Sequence, residues 1–255
     1  MTTTPFPKAV RALTRRWFWH LKREPAGLVS SLLQPALWLI LFGSLFENSS
    51  VVSGYSYISF MTAGVVVMTV FNAAISGGVE ILFDRESEFL ERLIATPCPV
   101  TAILLSRFIF IMTISILQAF IILAVALVMG VQVAANWIGL ILILFTGILL
   151  GAGIAAISMT MALGLKGHGQ FFSIIGFISL PMTFASTALA PIEAMPPWLR
   201  FISKLNPLTY AIDTIRSLIL TGVDASLIGQ MTGVLLAFVA FTVTILVFVS
   251  KKTID

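Results

Sequence analysis

Long apolar stretches separated by short polar ones dominate this sequence. The runs without Asp, Glu, Lys or Arg are residues 25–46, 48–79, 108–165, 167–192 and 225–250. A helix that crosses a bilayer needs about 20 apolar residues, so each run can hold one. The run 108–165 has 58 residues and must hold two. The pattern predicts an all-α integral membrane protein whose six transmembrane helices lie at about 28–46, 57–79, 107–129, 137–161, 170–189 and 226–249.

Composition and charge agree with this class. The chain is 58% hydrophobic and only 10% charged, whereas soluble proteins carry about a quarter charged residues. All but three of the 15 Lys and Arg residues fall on one side if the N-terminus is cytoplasmic; the exceptions are Arg200, Lys204 and Arg216. Because cytoplasmic loops are rich in Lys and Arg, we expect both termini in the cytoplasm. The pI near 9.5 then reflects topology, not binding of nucleic acid.

Residues 6–24 alternate basic and apolar side chains at helical spacing. The apolar positions are Val10, Leu13, Trp17 and Leu21, and the basic ones include Lys8, Arg11, Arg15 and Lys22. This pattern predicts an interfacial helix on membrane lipid at the inner leaflet. Alternatively, the helix only fixes the orientation of the chain. We divide the chain into an N-terminal helix (1–25), a six-span domain (26–250) and a cytoplasmic tail (251–255).

Charge is most concentrated in residues 84–99, between the second and third predicted spans. Six of the nine residues 84–92 are ionised, and each would cost about 2.5–3.5 kcal/mol at the centre of the hydrocarbon, so the segment lies in water. Apolar side chains recur there at helical spacing, at Phe89, Leu90, Leu93 and Ile94. We predict a short amphipathic helix that either binds a soluble partner or only reverses the chain.

A second unusual segment, residues 191–220, precedes the last span. Asn206 followed by Pro207 is a favourable helix start. The helix 207–220 is apolar on one face and carries Asp213 and Arg216 on the other. It would rise only about 21 Å against about 30 Å of hydrocarbon. We therefore predict a re-entrant helical hairpin that dips into the outer leaflet.

Small residues repeat every four positions in the fourth predicted span, at Gly147, Gly151 and Ala155. Such spacing lets two helices approach closely in lipid. The partner helix belongs either to the same subunit, which is the commoner use, or to a second copy of the chain.

Several kinds of chemistry have no motif here. The sequence contains no G-x-x-x-x-G-K-[ST] phosphate loop and no H-E-x-x-H, so we expect neither ATP hydrolysis nor a metal site in this chain. Its histidines are His20 and His168, and His168 is interpreted as a solvated loop residue. No predicted span has a central ionisable residue, which disfavours an ion-coupled carrier.

Two stretches together resemble the membrane subunit of ABC-2 type ABC exporters, a group that includes drug, nodulation-factor and polysaccharide exporters. The first comprises Arg85, Glu86, Glu88, Phe89, Leu90, Glu91, Arg92, Leu93, Thr96 and Pro97. The second comprises Pro191, Pro196, Pro197, Trp198, Asn206, Pro207, Tyr210, Asp213 and Arg216. One departure is Ser106-Arg107, where family members often have Gly-Lys, although the positive charge is kept.

The resemblance implies a role for each element. The first stretch would be a coupling helix that docks on a separate ABC ATPase, which binds ATP and Mg. Residues 6–24, with Arg11, Arg15 and Trp17, would be the connecting helix beside it. Two copies of the chain would assemble with two ATPase subunits. The expected location is the bacterial plasma membrane, with a plastid or thylakoid-type membrane as the alternative.

These observations predict a non-enzymatic permease subunit of an ATP-driven exporter. The alternatives are a membrane scaffold or assembly protein and an ion-coupled carrier without an ATPase. Uncharged spans and a chain with 20 Phe and 10 Met residues favour an amphipathic or hydrophobic cargo, such as a lipid, a lipid-linked glycan or a drug. The same composition would also suit helices that only pack in lipid.

Overall fold

The computed structural model describes residues 5–23, 25–46, 55–96, 98–165 and 167–254, without the side chains of 94, 253 and 254, and helices with short connections make up this part of the chain. The α-helices are α1 (Phe6–Arg23), α2 (Ala26–Leu45), α3 (Tyr57–Glu86), α4 (Phe89–Ile94), α5 (Val100–Val128), α6 (Asn136–Gly164), α7 (His168–Phe184), α8 (Pro197–Leu205), α9 (Pro207–Leu220) and α10 (Ala225–Ile254). The predicted all-α class is confirmed.

Five helices are long and apolar enough to cross a membrane: α2, α3, α5, α6 and α10. Each overlaps one of the predicted spans, because a run of about 20 apolar residues marks such a helix directly. The remaining predicted span, 170–189, corresponds to α7, which has only 17 residues. The helix ends at Phe184, five residues before the predicted boundary. The structure thus identifies an integral membrane protein with five candidate spans.

The sequence suggested a single helix over the charged segment 84–99, but the structure divides this segment between two helices. The first part of it completes α3, which continues to Glu86. The backbone of Glu88 then adopts a left-handed conformation, with φ 55°, and α4 begins at Phe89 and has six residues. The prediction ended the span where charge begins, but backbone hydrogen bonding does not stop at the first charged side chain.

At the centre of the fold, α3 packs along α6. The hydroxyl of Ser158 on α6 donates a hydrogen bond to the carbonyl of Ile75 (2.6 Å) and accepts one from the amide of Gly78 (3.2 Å). A Cβ at Gly78 would lie 2.4 Å from the Ser158 carbonyl oxygen, so only glycine allows this approach. Gly151 faces Val70 of α3 in the same interface. The small-residue row of α6 therefore serves packing within the subunit.

The short helix α9 is wedged among α3, α6 and α10. Its apolar face is fully buried, as Ile212, Ile215 and Leu218 illustrate. Its C-terminal carbonyls accept hydrogen bonds from the α5–α6 connection, including Ala134 to Ile219 (3.0 Å). By contrast, α8 leaves large apolar side chains exposed, such as Trp198. The predicted pair of short helices is present.

Candidate functional site

A buried cation joins α1, α3 and α5 near the end of α3 that leads into α4. Arg107 of α5 is only 2% exposed. Its guanidinium forms an ion pair with Glu80 of α3 and lies 3.4 Å from the ring centroid of Trp17 on α1. Within the described part of the chain, none of its nitrogens has a hydrogen-bond partner of good geometry. Charge and stacking, not directional hydrogen bonds, hold Arg107.

A second cation extends this contact to α4. Arg16 of α1 forms an ion pair with Asp84 of α3 at 3.2 Å. Its guanidinium carbon lies 4.4 Å from the ring centroid of Trp17 and 3.8 Å from that of Phe89, the first residue of α4. We call Arg16, Trp17, Glu80, Asp84 and Arg107 the inner cluster. It connects α4 to three other helices.

Phe89 of α4 faces this cluster, because the guanidinium of Arg16 lies over its ring. Phe89, Leu90 and Leu93 are half-buried, and Leu90 packs against the core. Arg92 donates hydrogen bonds to the carbonyls of Ser87 (2.8 Å) and Glu88 (3.3 Å), which closes the left-handed turn before α4. The exposed positions of the predicted motif are Arg85, Glu86, Glu88, Glu91, Arg92 and Thr96. Pro97 lies outside the described residues.

His168 is not a solvated loop residue, and that interpretation is wrong. It begins α7, its ring nitrogen contacts the carboxylate of Glu86, and its ring centroid lies 4.5 Å from that of Phe83. Nearby, Arg85 donates a hydrogen bond to the carbonyl of Leu165 (2.9 Å). Because His168 and Glu86 are 82 residues apart in sequence, no local pattern pairs them. Among the described residues, no group of three or more His, Cys, Asp or Glu side chains could hold a metal.

A second arginine with little solvent exposure lies at the other end of α3, where its side chain is 12% exposed. Arg216 of α9 pairs with Asp213 at 3.1 Å, as their spacing predicted, and stacks 3.8 Å from the ring centroid of Phe60 on α3. Its remaining nitrogens donate to the carbonyls of Phe60 (3.5 Å) and Thr187. The Thr187 hydroxyl donates to Asp213 at 2.7 Å. Burial lowers the pKa of Arg216 to about 10, which still leaves it charged at neutral pH. We call Phe60, Thr187, Asp213 and Arg216 the outer cluster.

Polar side chains also fix the segment between α7 and α9. Asn206 caps α9 by accepting from the amide of Leu208 (3.0 Å) and donates to the carbonyls of Met182 (2.6 Å) and Ala185 (3.3 Å). Tyr210 donates to the carbonyl of Lys204 (2.6 Å). The cap predicted from Asn206 and Pro207 is confirmed.

The prolines of the second motif begin its short helical elements. Pro191 precedes a 3₁₀ turn at Ile192–Ala194, and Pro196 and Pro197 precede and begin α8. Arg200 of α8 donates hydrogen bonds to three carbonyls of this turn, including that of Ile192 (3.2 Å). The segment is thus folded onto itself before α9 starts.

Polar side chains line a groove of about 400 Å³ between α2, α3 and α7. They include Gln34, Asn72, Ser179 and Thr183. The sequence analysis missed Asn72, as it did Glu80. A signal existed for both, since Asn72, Ser76 and Glu80 repeat every four residues and therefore lie on one side of α3.

Comparison with known proteins identifies the family. Residues 8–220 match the model of the ABC-2 type transporter family. The transport permease ycf38 of Cyanophora paradoxa is 40% identical over 222 residues, which cover 86% of this chain and 76% of the relative. Nodulation protein J of Neorhizobium galegae is 27% identical, covering 80% and 79%. The daunorubicin resistance ABC transporter permease protein DrrB1 of Streptomyces coeruleorubidus is 22% identical, covering 81% and 74%. The chain therefore belongs to the ABC-2 type transporter family and is a membrane transport permease.

Proposed function

We propose that this permease is the membrane subunit of an ATP-driven exporter and that α4 transmits the movement of a separate ATPase. The observation that carries the proposal is the attachment of α4. Its apolar face rests on the inner cluster while its charged face, with Glu88 and Glu91, is exposed. ABC-2 permeases generally work with an ABC ATPase subunit. A short charged helix that is attached in this way to three other helices suits docking on such a soluble partner.

The docking surface proposed here is the charged face of α4, not its apolar stripe. Leu90 packs against the core, so it has little area left for a partner. Both signs of charge occur on the charged face within about one helical turn, at Glu88, Glu91 and Arg92. Complementary charges on the ATPase would set the orientation of docking. ATP and Mg would bind to that partner, and this chain would contribute no nucleotide site.

A six-span layout follows if α7 also crosses the membrane. The first residue of α7, His168, contacts Glu86 at the inner end of α3. Thr187, three residues beyond its end, contacts Arg216, which stacks on Phe60 at the outer end of α3. Because α7 connects the same two levels as a helix long enough to span, we propose that it spans as well. Both termini and α4 then lie in the cytoplasm, in accord with the distribution of Lys and Arg.

We further propose that cargo follows the polar groove beside α3 and α7. Asn72 is exposed on the side of α3 that faces this groove. An exposed amide is costly against hydrocarbon, so water, cargo or a second copy of the chain should cover it. A homodimer with α7 at its interface meets this need. The mixed wall of Trp38, Met68 and Asn72 suits a molecule with both apolar and polar parts. The Asp213–Arg216 pair is satisfied internally and is not proposed as a cargo contact.

Copurification with the ATPase tests the coupling proposal. We would reverse the charge of Glu91 with Glu91→Arg and make the matched change Glu193→Arg on the exposed turn before α8. We expect Glu91→Arg to reduce ATPase copurification and cargo-stimulated ATP turnover, and Glu193→Arg to leave both unchanged. Equal recovery of the ATPase with both variants would refute docking through α4. Failure of any ATPase to copurify with the unaltered chain would favour the scaffold alternative.

The only cysteine, Cys98, tests the topology. It lies between α4 and α5, and partial burial raises the pKa of its thiol. A membrane-impermeant thiol reagent should label it only after cells are permeabilised. As a control, Glu193→Cys in a Cys98→Ser background should be labelled in intact cells. Labelling of Cys98 in intact cells would reverse the proposed orientation.

A further inference from the structure

A groove with a volume of about 800 Å³ lies between α1 and α5. Val10 and Phe18 of α1 form one wall, and Leu105 and Ile109 of α5 form the floor. Leu105 and Ile109 are 39% and 38% exposed. Because α5 is one of the candidate spans, exposed apolar side chains near its start are available to contact lipid.

Basic side chains form the rim of the same groove. Arg11, Arg15 and Lys22 line it and are all exposed. Arg11 and Arg15 are one helical turn apart, so both guanidinium groups can reach one small anion. Among the described residues, neither has an acidic partner, and α1 contains no Asp or Glu. Arg16, by contrast, is paired with Asp84 in the inner cluster.

The groove therefore places an apolar surface beside a cationic one, which matches the acyl chains and the headgroup of a phospholipid. The apolar floor continues along a transmembrane helix, and the cationic rim lies on an amphipathic helix at its edge. Trp19, which is 50% exposed beside the rim, has the amphipathic ring typical of the headgroup level. An arginine guanidinium binds phosphate oxygens through paired hydrogen bonds. A zwitterionic lipid would leave the excess positive charge of the rim less well balanced.

We propose that this groove is a binding site for a phospholipid with an anionic headgroup. One acyl chain lies along Phe18, Leu105 and Ile109, and the phosphate lies between Arg11 and Arg15. The lipid connects the groove-facing side of α1 to α5, while Arg16 and Trp17 connect another side of α1 to Asp84 and Arg107. This site is separate from the polar groove proposed for cargo, and it requires neither an ATPase nor transport.

Native mass spectrometry of the purified full-length chain tests the site. The protein would be equilibrated with mixed micelles of phosphatidylglycerol and phosphatidylcholine, and the retained lipids would be counted. The test variant is Arg11→Gln/Arg15→Gln. The matched control, Lys8→Gln/Arg23→Gln, removes the same charge from α1 at exposed positions that do not line this groove. We expect the test variant to lose retained phosphatidylglycerol by about tenfold or more and the control to retain it.

A third variant tests the acyl-chain part of the site. Ile109→Trp fills the groove without a change of charge and should also displace the lipid. Equal loss of phosphatidylglycerol from both charge variants would show diffuse attraction to α1 and overturn the proposal. Undiminished retention by Arg11→Gln/Arg15→Gln would overturn it as well. Thermal unfolding of each variant would show that the fold is intact. Because lipid is counted without the ATPase, the outcome is independent of the proposed export function.

Discussion

Two arginines, Arg107 and Arg216, lie near opposite ends of α3 but are held in different ways. Arg216 donates to two backbone carbonyls and to Asp213, and it stacks on Phe60. Arg107 has Glu80 for charge and the Trp17 ring for stacking, without a directional hydrogen bond among the described residues. Hydrogen bonds fix distance and angle, whereas stacking and charge tolerate displacement. The contacts of Arg216 therefore form a clamp, whereas the contact of Arg107 can act as a joint within the inner cluster, beside the hydrogen-bonded pair Arg16–Asp84.

This difference fits the position of each cluster. The inner cluster contacts α4, where we propose that a partner applies force. The outer cluster connects the α7–α8 segment to α9 and α3. A joint at the driven end and a clamp at the far end would let the two ends of α3 respond differently to the same movement. The following predictions test that contrast by the stability lost when each contact is removed.

The largest loss is expected for Arg216→Ala. It leaves Asp213, whose side chain is 31% exposed, without its cation, and it removes a hydrogen-bond donor to the carbonyls of Phe60 and Thr187. Removal of one partner of a fully buried ion pair costs about 3–5 kcal/mol, and partial hydration of Asp213 should bring the loss to the lower end of that range. The thermal unfolding midpoint in detergent should fall accordingly. The double variant Arg216→Ala/Asp213→Ala should lose less, because no unpaired carboxylate remains. A double variant that is no more stable than the single one would contradict the clamp.

Asn206→Ala should have the next largest effect. It removes the cap of α9 and the donor for the carbonyls of Met182 and Ala185. Loss of the cap costs about 1 kcal/mol, and the unsatisfied carbonyls add about 1–2 kcal/mol. Asn206→Asp keeps the cap acceptor but places a carboxylate oxygen against the carbonyls of Met182 and Ala185 in a buried site, so its unfolding midpoint should fall at least as far as that of Asn206→Ala. Native stability of Asn206→Asp would show that the two carbonyls need no donor.

A smaller loss of stability is expected for Arg107→Met. A cation stacked on an aromatic ring is worth about 2 kcal/mol when desolvated, and an apolar side chain of similar volume recovers part of it. Glu80 is left without its cation, but its side chain is 37% exposed and can be hydrated. Function should suffer more than stability, with cargo-stimulated ATP turnover reduced while the protein stays folded. A fall in unfolding midpoint as large as that of Arg216→Ala would contradict the distinction between joint and clamp.

The smallest effect is expected where the inner end of α3 meets α7. The pair His168–Glu86 is at the surface, since the Glu86 side chain is 53% exposed. Such pairs contribute about 0–1 kcal/mol. A double-mutant cycle with His168→Gln and Glu86→Gln should therefore give a coupling energy below about 1 kcal/mol, and less at high salt. A coupling energy of several kcal/mol would mean that this contact is a second clamp.

The sequence predicts the helices better than it predicts the contacts between them. Apolar runs place α2, α5, α6 and α10 within a few residues at most ends, because hydrocarbon requires long apolar stretches. The same reasoning misplaced the end of α3 by seven residues, at 79 instead of Glu86. Hydropathy reports where the membrane ends, and a helix can continue into water.

The clusters escape local reasoning for a different reason. His168 and Glu86, or Arg16 and Asp84, meet only after the helices pack. The sequence shows a charged residue at the start of an apolar run, such as Arg107, but it does not show the partner residue that offsets the cost of burying that charge. The Asp213–Arg216 pair is the exception, since residues three apart on a helix are neighbours. Interactions within one helix can be predicted from spacing, and interactions between helices cannot.

The hydrogen bonds of Ser158 to Ile75 and Gly78 have a mechanical consequence. They join α6 to the middle of α3, so they oppose sliding of the two helices past each other and let the pair move as one rigid unit. From Phe60 to Glu80 this rigid unit is about 30 Å long at 1.5 Å per residue. A tilt of about 5° about one end therefore moves the other end by about 2.6 Å. A shift of that size is close to the length of a hydrogen bond. A small tilt of α3 applied at α4 is thus enough to strain the hydrogen bonds of Arg216 at the other end of α3.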